Sequence, residues 1–255
     1  MKPTPSGKPA STMTGGSISE FPAIPTASAN SSHTPNNPYS YPGTIMKRQY
    51  PKGMQVSLPD DETCAAYAIR GERPMDDDEF FEFCGNNPDL RVERDANGEI
   101  IVMPPAGFET GYRNSDLTAQ LTIWAKADDR GIALDSNTEY VLPNSAARSP
   151  DASWVLKSRV AKLTGKQKKV FPRLCPDFVV ELTSPSDRLH KVKAKMREWI
   201  DNGAQLGWLI DPDHRTVYVY RPGIEPEELV DIEHVDGESP VKGFRLELSV
   251  IWKGL

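Results

Sequence analysis

The chain has 255 residues, 38% of them hydrophobic, and 30 Lys and Arg against 36 Asp and Glu give a net charge of −6. That balance argues against a strong, non-specific binder of duplex DNA, which would carry a basic face. No apolar run reaches the ~20 residues that span a bilayer, and no apolar signal-peptide core follows Met1. Cys64, Cys84 and Cys175, with no close spacing, read as reduced thiols of a cytoplasmic protein.

Residues 1–45 are rich in Ser, Thr, Pro, Asn and Gly. Such a segment cannot bury enough surface to offset its ordering entropy, so a disordered tail is expected. A transit peptide is the weaker reading. Acids are scarce, but only Lys2 and Lys8 are basic before Lys47 and no amphipathic helix is visible. Residues 46–74 form an ambiguous lead-in, and 75–255 have the size of one domain with its own core.

From Met75 to about Asn86 the pattern predicts a short helix. Asp76, Asp77, Asp78 and Glu79 suit the positive end of its dipole, and Phe80, Phe83 and Cys84 recur at i, i+3 and i+4. The four acids do not suggest a metal site, because consecutive helical positions diverge around the axis. Leu90–Asp95 and Glu99–Met103 read as strands around the hairpin signal Ala96-Asn97-Gly98. A second helix is expected with Thr110 as its cap, running to about Asp129, with Leu117, Leu121 and Trp124 as its stripe and Gly131 as its stop. Ile132–Leu142 reads as extended, Asp151–Leu156 as a strand, and Ser158–Gln167 as a short helical or irregular insertion.

The stretch Pro176 to Pro212 is the most informative. Phe178, Val180 and Leu182 point to one face of a strand, and Asp177, Val179, Glu181 and Thr183 to the other. A carboxylate at Glu181 inside an apolar strand is costly unless a cation, a hydrogen-bond network or a divalent metal meets it. Ser184-Pro185 ends the strand, and Ser186 is the predicted cap of a helix whose stripe is Leu189, Val192, Met196, Trp199 and Ile200. Gly203 stands where a left-handed residue is wanted after the last turn. Trp208 to Tyr220 reads as a hairpin, and the alternation Phe244, Leu246, Leu248, Val250, Trp252 as a C-terminal strand. This order of elements fits a mixed sheet flanked by helices.

Basic residues crowd two stretches, Lys157 to Lys169 and Arg188 to Arg197. A solvated face is the simpler reading, and a phosphate-tracking surface the functional one. His190, His214 and His234 lack metal-ligand spacing, and no phosphate-binding Gly-rich loop or serine-nucleophile motif is present.

The motifs FFEFC, GEIIVMPP, SPDASWV, CPDFVVELTSPSD, AKMREWIDNGA, LGWLIDP and VYVYRPG together resemble the Uma2 family, from about Met75 to Trp252. The resemblance implies the PD-(D/E)XK, restriction-endonuclease-like fold, an α/β (α+β) mixed central sheet flanked by helices. It also implies Mg²⁺- or Mn²⁺-dependent hydrolysis of phosphodiester bonds by a metal-activated water, a nucleic-acid partner, DNA first, and a homodimer. Asp151 and Glu181 are then the metal-holding catalytic acids, Lys195 the catalytic lysine, and Glu109 an accessory metal ligand. The chain departs from the textual motif at Thr183, which stands two residues after Glu181 where Lys is usual, and at Thr110, where many members have His.

Each assignment has a plainer alternative. Asp151 can be a strand-start turn residue, Glu181 the partner of Lys195 or Arg197 in a buried ion pair, and Glu109 an acid at a helix dipole. Asp177 also follows a proline, but four residues along a strand is ~13 Å, too far to share one ion directly with Glu181. It is therefore expected as an indirect metal partner or a structural residue. Periodicity places Lys193 and Lys195 at opposite borders of the helix stripe, and only the resemblance chooses Lys195. The rival to an enzyme is a catalytically silent nuclease-fold protein that binds nucleic acid or a protein.

Overall fold

The computed structural model describes residues 55–57 and 67–255. The expected tail, residues 1–45, lies outside them, as does most of the lead-in. Among the described residues are two six-stranded sheets and one two-stranded sheet.

The first sheet is antiparallel and contains β1 (Gln55–Ser57), β2 (Tyr67–Arg70), β3 (Arg91–Arg94), β4 (Ile100–Met103), β6 (Tyr140–Val141) and β7 (Ala147–Arg148), in the order β1-β2-β4-β3-β7-β6. The turn at Asn97-Gly98 joins β3 to β4, with Gly98 at φ 83. Helix α1 (Asp77–Asn86) lays Phe80 and Phe83 over this sheet, against Ile69, Val92 and Ile100. Its acids do serve the helix end. Asp76 accepts from the Glu79 amide and Glu79 reaches back to the Asp76 amide, a reciprocal cap.

The second sheet positions the candidate site. It contains β5 (Gly131–Asp135), β8 (Ala152–Leu156), β9 (Phe178–Leu182), β10 (Leu206–Asp211), β11 (Thr216–Arg221) and β12 (Ile224–Val230), in the order β12-β11-β10-β9-β8-β5. Strands β9 and β10 are parallel, and the other pairs are antiparallel. The connection between β9 and β10 carries helix α4 (Leu189–Asp201), the crossover that a parallel pair requires. The alternation read from β9 holds. Phe178, Val180 and Leu182 enter one core with Trp154 and Trp208, and Val179 enters the other with Met196 and Trp199 of α4. The first of these cores is covered by α2 (Phe108–Asp128) through Leu117 and Leu121, and by residues of β13 (His234–Asp236), β14 (Arg245–Glu247) and α5 (Ser249–Lys253). A short helix, α3 (Lys157–Val160), fills the insertion after β8.

Four local expectations are corrected. Helix α2 starts at Phe108 with Gly107 as its cap, so Thr110 is a buried residue of its first turn and caps nothing. It ends at Asp129, as expected, but the left-handed residue there is Asp129 itself, with φ 59, and Gly131 opens β5 rather than stopping the helix. Helix α4 is capped at Arg188, because Asp187 and Ser186 are held in the preceding turn, where Ser184 donates to Asp187 at 2.7 Å. The C-terminal alternation is a strand only through Glu247. Leu248, Ile251 and Trp252 are spaced i, i+3, i+4, and the segment turns into α5.

Candidate active site

Antiparallel pairing of β8 with β9 sets Ala152 opposite Val180, so Asp151, one residue before β8, lies across from Glu181. The Leu182 amide donates to Asp151 Oδ2 at 2.8 Å, and Asn114 Nδ2, from α2, donates to Oδ1 at 2.9 Å. Glu181 is 5% exposed. Its Oε1 accepts from Trp199 Nε1 at 2.8 Å. Lys195 Nζ lies 2.9 Å from Oε1 and 3.2 Å from Oε2 of the same carboxylate. Two strands and the crossover helix therefore bring Asp151, Glu181 and Lys195 together.

Lys195 has two further acceptors, Glu93 Oε1 at 2.8 Å and the Ser149 carbonyl at 3.1 Å. Glu93 comes from β3 of the first sheet, and Arg148 Nη1 and the Ser149 amide, each at 3.1 Å, hold it. Arg148 in turn donates to Glu198 of α4 at 2.7 Å. The result is an alternating chain of charge, Glu181, Lys195, Glu93, Arg148, Glu198. With Asp151 beside it and all groups ionised, the site carries two more carboxylates than cations.

The electrostatics follow from this crowding. Burial raises the Asp151 carboxyl above its ordinary range. Burial, then the neighbouring charges of Asp151 and Glu93, push Glu181 up to about 7 despite Lys195. Burial also acts on Glu93, but there Lys195 and Arg148 outweigh it and hold the carboxyl low. Burial works against the Lys195 ammonium, yet Glu181 and Glu93 keep its affinity for the proton above the ordinary lysine value.

The sequence model of the Uma2 family, described as "Putative restriction endonuclease", matches residues 77–250. The chain belongs to the Uma2 family. Among solved structures, this Uma2 chain is similar to a protein from Anabaena variabilis ATCC 29413 described as a putative nuclease belonging to DUF820. The two share 24% identity over 71% of this chain and 98% of that chain, with a TM-score of 0.59. No curated protein matches it. The likeness establishes the nuclease-like fold, and the family description points to nuclease chemistry.

Asp177 and Glu109, both expected as metal partners, make other contacts in the Uma2 domain. Asp177 is fully buried before β9, at the far end of the strand from Glu181, and its carboxylate is used up by Arg159 at 2.8 Å, Gln205 at 3.1 Å and the Leu156 amide at 2.9 Å. Glu109 pairs with Arg113 at 3.0 Å, one turn along α2, and packs against Gly254. The residue of α2 that reaches Asp151 is Asn114. Lys193 lies 3.8 Å from the centre of the Tyr218 ring, on the other border of α4.

The residues present fit a divalent cation. Among the described residues no group of three or more His, Cys, Asp or Glu side chains converges as a ready-made metal cluster. Mg²⁺, however, is commonly held by one or two carboxylates plus substrate phosphates. Asp151 and Glu181 supply that pair of hard oxygen donors, and burial, with the lesser repulsion from Asp151 and Glu93, raises Glu181 in a way that a cation would offset. Among the described residues, Asn114 Oδ1, on the amide whose nitrogen donates to Asp151, is buried without a hydrogen-bond partner.

Glu93, Asn114, Arg148 and Ser149 join the site without a functional signal of their own in the sequence. Ser149 precedes the SPD proline and Asn114 lies on the predicted helix, but nothing local marks either as a site residue. Glu93 and Arg148 are 55 positions apart and on different strands, so their pairing has no local signal. Glu139, just before β6, is 8% exposed, its Oε1 has no hydrogen-bond partner among the described residues, and burial followed by the charge of Glu93 pushes it up to about 8.

Proposed function

We propose that this Uma2 protein is a metal-dependent endonuclease-like hydrolase that cleaves phosphodiester bonds in DNA. The convergence of Asp151, Glu181 and Lys195 carries the proposal: a half-buried and a buried acid, both of raised proton affinity, lie beside an ammonium on a crossover helix. Asp151 and Glu181 would hold Mg²⁺ or Mn²⁺. A bound divalent cation supplies Lewis-acid stabilisation of the phosphoryl group and a water that is nucleophilic at neutral pH.

The chain's own groups do the rest. The Leu182 amide and Asn114 fix Asp151, and Trp199 fixes Glu181, so neither acid reorganises as charge develops. Lys195 offers its ammonium to the phosphate oxygen that gains charge. Thr183 stands where the textual motif has lysine and donates to the Ile210 carbonyl, so the cationic role falls to α4. A cytoplasmic location and a homodimer able to cut both strands accompany this reading.

One observation favours the rival, a silent nuclease-fold protein that binds nucleic acid or a protein. Lys195 already closes an ion pair with Glu181 at 2.9 Å. Incubation of the protein with supercoiled plasmid and with single-stranded DNA and RNA, with Mg²⁺ or Mn²⁺ and with chelator, separates the two. The enzyme reading expects cation-dependent nicking of DNA that Asp151→Asn abolishes. No cleavage of any substrate, or cleavage that Asp151→Asn leaves intact, supports the rival or moves the site.

A further inference from the structure

We infer that Glu93 is a positioning residue that draws the Lys195 ammonium off Glu181 and so opens Glu181 to a divalent cation. The inference rests on the cation site proposed above and adds how that site is held open.

An ammonium has three N–H donors. In Lys195 they meet Glu93 Oε1, the Ser149 carbonyl and Glu181. The first two acceptors form a socket independent of Glu181. Ser149 provides both its carbonyl, to Lys195, and its amide, to Glu93, so one residue fixes the lysine and its counter-charge together. Arg148 holds the other Glu93 oxygen, and Glu93 is 3% exposed, so the socket is rigid. Glu181 is different in kind, because Lys195 there occupies the carboxylate that a cation needs. Like charges cannot both lie against Glu181 at full strength. With Glu93 in place the ammonium keeps two hydrogen bonds and a full counter-charge when a cation takes Glu181. Its third N–H then becomes free to meet a phosphate oxygen. Without Glu93 the ammonium has only Glu181 as a charged partner and competes with the cation for it.

Binding of Mn²⁺ alone, followed by electron paramagnetic resonance of the free ion, tests this in the full chain. The expected order of affinity is Lys195→Met above wild type, wild type above Glu93→Asp, and Glu93→Asp above Glu93→Gln, with Glu93→Gln about ten-fold weaker than wild type. In a Lys195→Met background, Glu93→Gln should change affinity by less than about two-fold, because no ammonium remains to be positioned. A purely structural Glu93, or one acting by its bare charge, would weaken binding equally in both backgrounds, and that result overturns the inference. So does a Lys195→Met protein that binds Mn²⁺ no better than wild type, an arm that stands even if Glu93→Gln does not fold. Absence of Mn²⁺ binding in wild type, or binding that survives Asp151→Asn, removes the site itself and the inference with it.

Discussion

Lys193 and Lys195 are two positions apart, roughly 200° around α4, and packing gives them different work. Lys193 covers the Tyr218 ring, and Lys195 enters the acid cluster. If Lys195 serves the reaction, Lys195→Ala lowers cleavage by ~10²-fold or more, while Lys193→Ala changes it little, both measured as initial rates of plasmid nicking. Loss of cleavage only in Lys193→Ala would move the role across the helix. Glu139 gives a prediction independent of catalysis. Its folded carboxyl titrates at about 8 rather than 4.5, so the folded state binds more protons than the unfolded state between those values. Its favourable contribution is therefore complete below about pH 4.5 and is lost as pH rises through about 8. Glu139→Gln should equal wild type near pH 5 and exceed it near pH 8 by on the order of a few kcal/mol, read from urea midpoints at the two pH values. An equal fall with pH in both proteins would refute this. Glu181 is conspicuous in the sequence because it is a charge inside an apolar strand, whereas Asp151 and Lys195 stand out only through the resemblance to the Uma2 motifs. Glu93 and Glu139 do not stand out, because their burial is made by strands far away in the chain.

At the level of elements, the fold is legible in the sequence where one periodicity runs unbroken. The faces of β9 and the stripe of α4 are such cases, and Met196 and Trp199 are fully buried as the spacing implies. Element ends are not legible in the same way, because tertiary contacts choose among similar signals there. Thr110 and Ser186 are good capping residues by type, yet the chain enters each helix elsewhere. Alternation in Phe244 to Trp252 hid a change of period after Glu247. The junction of β5 with β8 is a point where packing is tight and testable. A Cβ on Gly131 would lie 2.2 Å from the Trp154 ring, which is fully buried and flanked by Trp124. Gly131→Ala should cost about 1–3 kcal/mol through overpacking, visible as a lower urea midpoint with an unchanged slope. An unchanged midpoint would show that the Trp154 ring can shift.

At the level of the whole molecule, the site is a meeting of parts. The second sheet provides Asp151 and Glu181, the crossover helix Lys195 and Trp199, the first sheet Glu93 and Arg148, and α2 Asn114. The mixed sheet with flanking helices was legible from the order of elements. The division into two large sheets was not, because it depends on pairing between segments such as β3 and β7, whose own hydrophobic pattern is short. Among the described residues no helix is long and apolar enough to cross a membrane. In the proposed reading, Asp151 and Glu181 hold one divalent cation between them. Calorimetric titration of Mg²⁺ into wild type, Glu181→Gln and Asp151→Asn tests it most directly. One site is expected in wild type and no measurable binding in either variant, with both variants folded. Mg²⁺ affinity that survives in both would contradict it.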